Sequence, residues 1–542
     1  MSETTLLYCA TGERDVINTL ALCENRDTRH RIYYRAQQKL CSISLAELDV
    51  AAMQVAHHLY ELGVRQYDRI GIMAHNQIEW VMLDLAILKL GAVTAGFEPG
   101  RFDTINIRQQ YGLKYLFVAG NEPFMPDPPK DILSLQLVAG WVKKPARSYQ
   151  RFHTGYDAAD ICAIKFTSGS TGAPKGLEAT VSSINSSMFA AQSMFTHQHG
   201  DNVLVFLRLA LLQQRYWIYS ALVNQHNITL SQMDDVLPMS QATFPTVIMG
   251  VPGFYAEVKT QIEQMGLPAD GTSCYAMIQN TLGGKIRYLW TGSAPASPAV
   301  LSFFNDNGVP LYEGYGLNET CIVSKNHPGA YKVGSVGKVL PNKCIRFDQD
   351  GVLIVSSRHP VNCRYTWCAP GTNEKTYLPT GEVKTYDVGY VDEEGFLYIQ
   401  GRVDDILTLN SGRNVLVRPL EEKIAEHPHV HTCVLYGNGQ PYITALISPA
   451  AGVTHTASLT DFIAELNTSL LPEQQIKALV KCQEPFSINN GLLTSQFKPK
   501  RQDIYRRYAA ELTNIYRACY SASAPHVLLA YPIKNPSGMN SQ

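Results

Sequence analysis

Apolar side chains recur at helical spacing over Leu48, Ala52, Val55, Leu59 and Leu62, and the run stops at Gly63. Ser44 and Glu47 make a capping-box pattern in front of it, so the spacing predicts a helix with one buried face. The period then changes. Arg69-Ile70-Gly71-Ile72-Met73-Ala74 reads as a strand and Glu79 to Leu90 as a second helix, an alternation that favours a parallel sheet in an α/β layer. Asn76, Glu79 and Trp80 at this junction read as a helix cap followed by core packing rather than as a site. Further along, Ile161 to Phe166 and Ile286 to Trp290 are short apolar runs of strand type, each running into a loop of small and polar residues. Ligands of such sheets bind beyond the ends of the strands. Between the first helices and these strands, the four prolines of Pro123 to Pro129 read as a bridge between subdomains.

Composition narrows the classes. The chain has 542 residues, 45% hydrophobic and 17% charged, which suits a large core and more than one domain. A net charge of -1 offers no basic excess to neutralise phosphate backbones, so no nucleic-acid partner is expected and the substrate is a small molecule. The opening Met1-Ser2-Glu3-Thr4-Thr5 lacks a basic leader region, and Trp80 to Val93 is interrupted by Asp84 and Lys89; the reading is a cytoplasmic protein with no transmembrane segment. The twelve cysteines include no CxxC pair and are expected to be reduced.

Candidate chemistry concentrates in a few loops. Thr167-Ser168-Gly169-Ser170-Thr171-Gly172-Ala173-Pro174-Lys175-Gly176 supplies hydroxyls, bare backbone and one cation, the groups needed to wrap a triphosphate. It is not a Walker loop, because Pro174 stands where that pattern requires glycine before the lysine. Glu313-Gly314-Tyr315-Gly316-Leu317-Asn318-Glu319-Thr320 places an aromatic ring, glycine backbone and a carboxylate together. Tyr315 is able to stack on a purine, Gly314 and Gly316 allow close approach, and Glu319 offers hard oxygen ligands to Mg²⁺. The acidic stretch Asp392-Glu393-Glu394-Gly395 reads as a hairpin turn rather than a metal site.

In their order along the chain these segments resemble the adenylate-forming superfamily of acyl-CoA synthetases, adenylation domains and luciferases. The resemblance covers about Ile43 to Tyr508. It implies that Gly292, Ser293, Ala294 and Pro295 lie along adenine, that Asp387 accepts the ribose hydroxyls, that Arg402 reaches ribose or phosphate, and that Thr167 and Glu319 hold the metal. It makes Lys498, in Leu493-Thr494-Ser495-Gln496-Phe497-Lys498-Pro499-Lys500-Arg501, the catalytic lysine, with Lys175 and Glu319 as its partners in catalysis and Asp404 as a hinge. The implied fold is α/β: an N-terminal domain of layered subdomains over 1–403, a small mobile α+β domain over 404–520, and a flexible tail over 521–542. Where most relatives have a threonine before the glutamate, this chain has Asn318; either its amide or the Thr320 hydroxyl takes over the α-phosphate contact.

The lysine segment and Phe244 to Tyr255 are most like the long-chain fatty acyl-CoA synthetase branch, which favours a hydrophobic acid. That branch often carries proline, histidine and an acidic residue where this chain has Arg208, Leu211 and Gln214, and Val181 replaces a frequent histidine. Arg208 reads as a structural arginine rather than a substrate counter-ion. The expected activity is ATP- and Mg²⁺-dependent formation of an acyl adenylate from a carboxylic acid, then transfer to coenzyme A. Two alternatives stay open on sequence: loading of an acyl carrier protein's phosphopantetheine arm, and transfer to an amine or other non-thiol nucleophile.

Overall fold

A computed structural model describes residues 7, 13–102, 104–119, 129–144, 148–167, 175–266, 273–359, 364–450, 457–494, 497–519 and 528–530. The chain separates into two compact units. The first takes Met1–Arg346, Ile354–Thr385 and Val391–Leu397; the second takes Phe347–Leu353, Tyr386–Tyr390 and Tyr398–Gln542.

Two sheets organise the first unit. Among the described residues one has six strands in the order Ile132–Ser134, Tyr115–Val118, Arg69–Met73, Val93–Phe97, Ile161–Thr167, Lys175–Thr180. All its neighbours are parallel except the last pair. The other has nine strands with a parallel centre that includes Asn202–Val205, Val247–Gly250, Tyr288–Thr291 and Leu311–Leu317. Antiparallel strands close both its edges.

The predicted helix forms over Leu45–Glu61, and its capping box is present: Glu47 N donates to Ser44 Oγ at 3.2 Å and Ser44 N to Glu47 Oε2 at 2.8 Å. The second helix spans Ile78–Lys89, and the two are tied by the buried ion pair Lys89–Asp49 at 2.8 Å. Asn76 is not a helix cap. Its amide donates to the carbonyls of Leu207 and Ser231 and accepts from Leu209 N, all at 3.0 Å, because those strand-end groups would otherwise be buried unpaired.

A third helix, Leu212–Asn224, is buried along most of its length. Arg215 fixes it from inside, 3.2 Å from Asp84 and stacked over Trp80, while the Tyr219 hydroxyl donates to Asp84 at 2.6 Å. A buried charge of this kind is tolerable only when paired, so the helix has one rotational setting. Its first turn carries Gln213 and Gln214.

In the second unit, strands Val430–Tyr436, Ile443–Pro449 and Ile476–Lys481 form a sheet, flanked by the hairpin Ile406–Thr408 with Asn414–Leu416. Leu528–Ala530 pairs in parallel with Ala478–Val480, so part of the segment read as a flexible tail is a β-strand; its run of apolar residues continues a sheet edge. Among the described residues no helix is long and apolar enough to cross a membrane. Cys23, Cys41, Cys162, Cys274, Cys321, Cys344, Cys368, Cys433 and Cys482 are free thiols.

Candidate active site

Strand Ile161–Thr167 runs directly into the predicted phosphate loop, and Lys175–Thr180 returns antiparallel with Lys175 opposite Thr167. Ser168, Gly169, Ser170, Thr171 and Gly172 lie outside the described residues; their two anchors are held in register. The exit is pinned at Gly176, which donates to the Trp367 carbonyl and accepts from Thr366 N, both at 3.0 Å. A Cβ at Gly176 would sit 2.3 Å from the Trp367 ring, so only glycine fits this approach.

That contact brings in Tyr365, a residue that sequence reasoning missed. The Lys175 ammonium lies 5.0 Å from the centre of its ring, and its hydroxyl donates to Glu319 Oε1 at 2.5 Å. Burial, and then the Glu319 charge, push the Tyr365 hydroxyl well above its ordinary range, so it stays a donor. The loop lysine and the metal-ligand candidate are thus joined through one buried tyrosine. Nothing in Arg364-Tyr365-Thr366-Trp367 marks it beyond a pair of aromatic residues two apart.

Glu319 ends a turn that glycine makes possible. Strand Leu311–Leu317 pairs antiparallel with Cys321–Lys325 through a register shift at Tyr315/Gly316. A Cβ at Gly316 would stand 2.2 Å from the Cys321 carbonyl oxygen. Glu313 is buried and accepts from Ala296 N at 2.7 Å. It therefore ties down the Gly292, Ser293, Ala294 and Pro295 loop instead of offering its carboxylate to a ligand. Gly292 in turn runs close to the Gly314 carbonyl. The Thr320 hydroxyl is buried, accepts from Leu317 N at 3.3 Å and donates to the Cys321 carbonyl at 3.1 Å. It is committed to its own turn, which leaves Asn318, half-buried, as the polar side chain before Glu319.

The turn is also held from below. Cys321 has a backbone φ of 56° and its sulfur meets Lys165 Nζ at 3.7 Å and the Tyr216 hydroxyl at 3.4 Å. Burial alone would raise this thiol, but Lys165, Lys343 and the Tyr216 hydrogen bond together hold it below its ordinary value. Lys343 also donates to the Thr320 carbonyl at 2.7 Å. Buried cations thus brace the backbone on the C-terminal side of Glu319.

A cavity of about 520 Å³, counting its open mouth, lies over the ends of the parallel strands. Gly292, Ser293, Gly314, Tyr315 and Gly316 line one side and the first turn of helix Leu212–Asn224 another. Arg208, half-buried nearby in sequence, pairs with Glu98 at 2.6 Å, consistent with the expected structural role.

The second unit collects the other charged candidates. Asp387 is buried and accepts from Arg402 Nη1 at 3.2 Å. Lys498 is presented by a turn closed on Thr494: Thr494 N donates to the Lys498 carbonyl at 2.8 Å, and Lys498 N to the Thr494 hydroxyl at 3.1 Å. The protein packed around it lowers the Lys498 ammonium to about 8; Asp387 opposes this, while the cations Arg402 and Arg418 add to it. Its side chain nevertheless reaches solvent. Three residues on, Arg501 donates to Asp405 at 2.8 Å and, with both terminal nitrogens, to Glu421 at 2.6 Å. This fork fixes the start of the helix that follows Lys498 against Asp405, one residue after the expected hinge Asp404.

A sheet whose strands end on glycine backbone, beside a cation and a carboxylate, is suited to hold an anionic nucleotide. The family model for the AMP-binding enzyme matches residues 23–353 and that for the AMP-binding enzyme C-terminal domain matches 404–519; the chain belongs to the AMP-binding enzyme family. It is 26% identical to the long-chain-fatty-acid–CoA ligase FadD15 of Mycobacterium bovis, over 93% of this chain and 98% of that one. It is also 26% identical to a 2-succinylbenzoate–CoA ligase of Bacillus cereus, over 72% and 79%. The fold matches ATP-bound MatB from Rhodopseudomonas palustris with a TM-score of 0.76 at 20% identity, over 93% and 99% of the two chains.

Proposed function

We propose that this protein is an acid–thiol ligase that joins a carboxylic acid to coenzyme A at the expense of ATP. The observation that carries the reading is the Lys175–Tyr365–Glu319 linkage, which sets a cation and a carboxylate on one rigid post beside the glycine-lined strand ends.

In the first half-reaction a carboxylate oxygen of the acid attacks the α-phosphorus of ATP, and the bond to pyrophosphate breaks. Both reactants are anionic, so positive charge must meet the reaction centre and the leaving group. Lys175 and Lys498 supply it. Tyr315 stacks on adenine, Asp387 and Arg402 bind the ribose, and Asn318 donates to the α-phosphate. Glu319, its Oε1 oriented by Tyr365, and Thr167 would hold Mg²⁺, which is commonly bound through one or two protein oxygens plus substrate phosphates and neutralises them. In the second half-reaction the sulfur of coenzyme A attacks the acyl carbon, AMP leaves with the carboxyl-derived oxygen, and the thiol proton goes to solvent. The C-terminal domain, from Asp404 onward, turns at that residue between the two steps.

The test is thioester formation. Purified protein with ATP, Mg²⁺, coenzyme A and a panel of acids is expected to yield acyl-CoA and AMP in equal amounts. Adenylate formation without any thioester on coenzyme A would overturn the assignment of the acceptor.

A further inference from the structure

Gln214 sits in the first turn of helix Leu212–Asn224, is 8% exposed, and lines the cavity over the strand ends. Its Oε1 is buried without a hydrogen-bond partner. An amide oxygen removed from water and left unpaired is costly, and native interiors keep few of them. Among the described residues that share the cavity wall, Leu207, Met249 and Ile322 are aliphatic and Trp217 and Trp290 aromatic, and none of the polar ones, Gln213, Ser293 and Tyr315, pairs with this oxygen.

Trp217 and Trp290 give the cavity an aromatic face, backed by Phe195. Trp217 meets Trp290 edge-on at 4.7 Å, Phe195 stacks on Trp290 at 5.3 Å, and the Lys325 ammonium lies 3.6 Å from the centre of the Trp290 ring. A flat ring fits against such a face through stacked or edge contacts, which an alkyl chain cannot make. Among the described residues no charged side chain lines the cavity, and Arg208 is paired with Glu98. A second carboxylate on the substrate would therefore be stripped of water with no counter-ion.

We propose that Gln214 selects an aromatic carboxylic acid carrying a neutral hydrogen-bonding substituent, a hydroxyl or an amino group, which pairs with its amide when bound. The amide presents an acceptor and a donor, and a hydroxyl group is able to answer either. The inference rests on the ligase reading for its reaction and on the cavity alone for its selectivity. It sets this chain apart from a relative named for 2-succinylbenzoate, an acid with two carboxylates.

The test compares wild type, Gln214→Met, which keeps the length and removes both polar atoms, and Gln214→Asn, which withdraws the amide by one carbon. The probes are the hydroxybenzoates, the aminobenzoates, benzoate, palmitate and 2-succinylbenzoate. Binding is read by titration calorimetry with and without α,β-methylene-ATP, and turnover by pyrophosphate release. The best substituted benzoate is expected to exceed benzoate by about 10- to 100-fold in kcat/KM and in affinity, the range for a site whose polar group is otherwise unpaired. That ratio should collapse toward one in Gln214→Met and fall part of the way in Gln214→Asn. A preference for benzoate, palmitate or 2-succinylbenzoate in wild type, or a ratio unchanged in Gln214→Met, overturns the proposal. Pyrophosphate release with palmitate alone would spare the ligase reading and sink this one. Gln214-dependent binding of substituted benzoates without any turnover would do the reverse. Absence of both binding and turnover would remove both.

Discussion

The cavity of the first unit and the charged cluster of the second solve opposite problems. Around the cavity the groups are neutral: two tryptophans, a methionine, aliphatic chains and the amide of Gln214. Around Lys498 they are ions, with Asp387 and Asp405 set against Arg402 and Arg418. A neutral site discriminates among acids by shape and by a few hydrogen bonds. A charged site cannot tell one acid from another, but in the proposed mechanism it stabilises the phosphoryl transfer common to all of them. On this proposal selectivity and rate are carried by different side chains, and variants of one set should leave the other property intact.

The largest predicted effect lies on the charged side. Lys498→Ala is expected to slow acid-dependent pyrophosphate release by on the order of 10²- to 10³-fold while leaving the selectivity ratio among acids intact. Its side chain reaches solvent, so the melting temperature should hold; single-turnover kinetics and a thermal melt check both. A shift in acid preference in this variant would break the division of labour.

Next comes the linkage between the two lysine-bearing regions' common target and its carboxylate. Tyr365→Phe keeps the ring over Lys175 but removes the hydroxyl that orients Glu319. The concentration of Mg²⁺ needed for half-maximal rate is expected to rise by about 10- to 100-fold, the usual cost of losing a partner behind a metal ligand. A Mg²⁺ titration measures it, and an unchanged midpoint would take Glu319 out of the metal site.

The pH profile is a gentler probe of the same side. In the proposed mechanism Lys498 works as a cation, and it is lowered to about 8, so the protonated form is full below that value and is lost as pH rises through it. The kcat/KM for ATP should fall by about tenfold per pH unit on the alkaline limb, and the limb should vanish from the residual activity of Lys498→Ala. Arg208→Gln is the smallest effect expected. The arginine is part-exposed and already paired with Glu98, so activity should change by no more than about twofold and stability by about 1 kcal/mol or less. A large loss of acid affinity would instead make Arg208 a substrate counter-ion.

The two regions also differ in how well the sequence foretells them. Few residue types are able to neutralise phosphates or hold a ribose, so Lys175, Glu319, Asp387, Arg402 and Lys498 stand out in short motifs. The capping box at Ser44 and the strand at Arg69 are legible for a similar reason, since local hydrogen bonding and period fix them. Tyr365 is not legible, because its role comes from the approach of Trp367 to Gly176, a contact between segments far apart in the chain. Glu313 and Thr320 look like ligand groups in their motif and turn out to serve the backbone. Gln214 stands out in the sequence only as a departure from the long-chain branch's pattern, and that its amide oxygen is buried unpaired beside a cavity is visible only in the structure. Arg208 reads as a structural arginine, and its pairing with Glu98, more than a hundred residues away in the chain, fits that reading. Leu528–Ala530 shows the same limit, since an edge strand is recruited by the sheet it joins rather than by its own flanks.

The most direct test of the central claim is acid-dependent exchange of labelled pyrophosphate into ATP by the purified wild-type protein, followed by addition of coenzyme A. Exchange that requires an acid and Mg²⁺, and that gives way to stoichiometric AMP and acyl-CoA when the thiol is added, is the predicted result. Exchange independent of any acid, or none with aryl, fatty and amino acids alike, would contradict it.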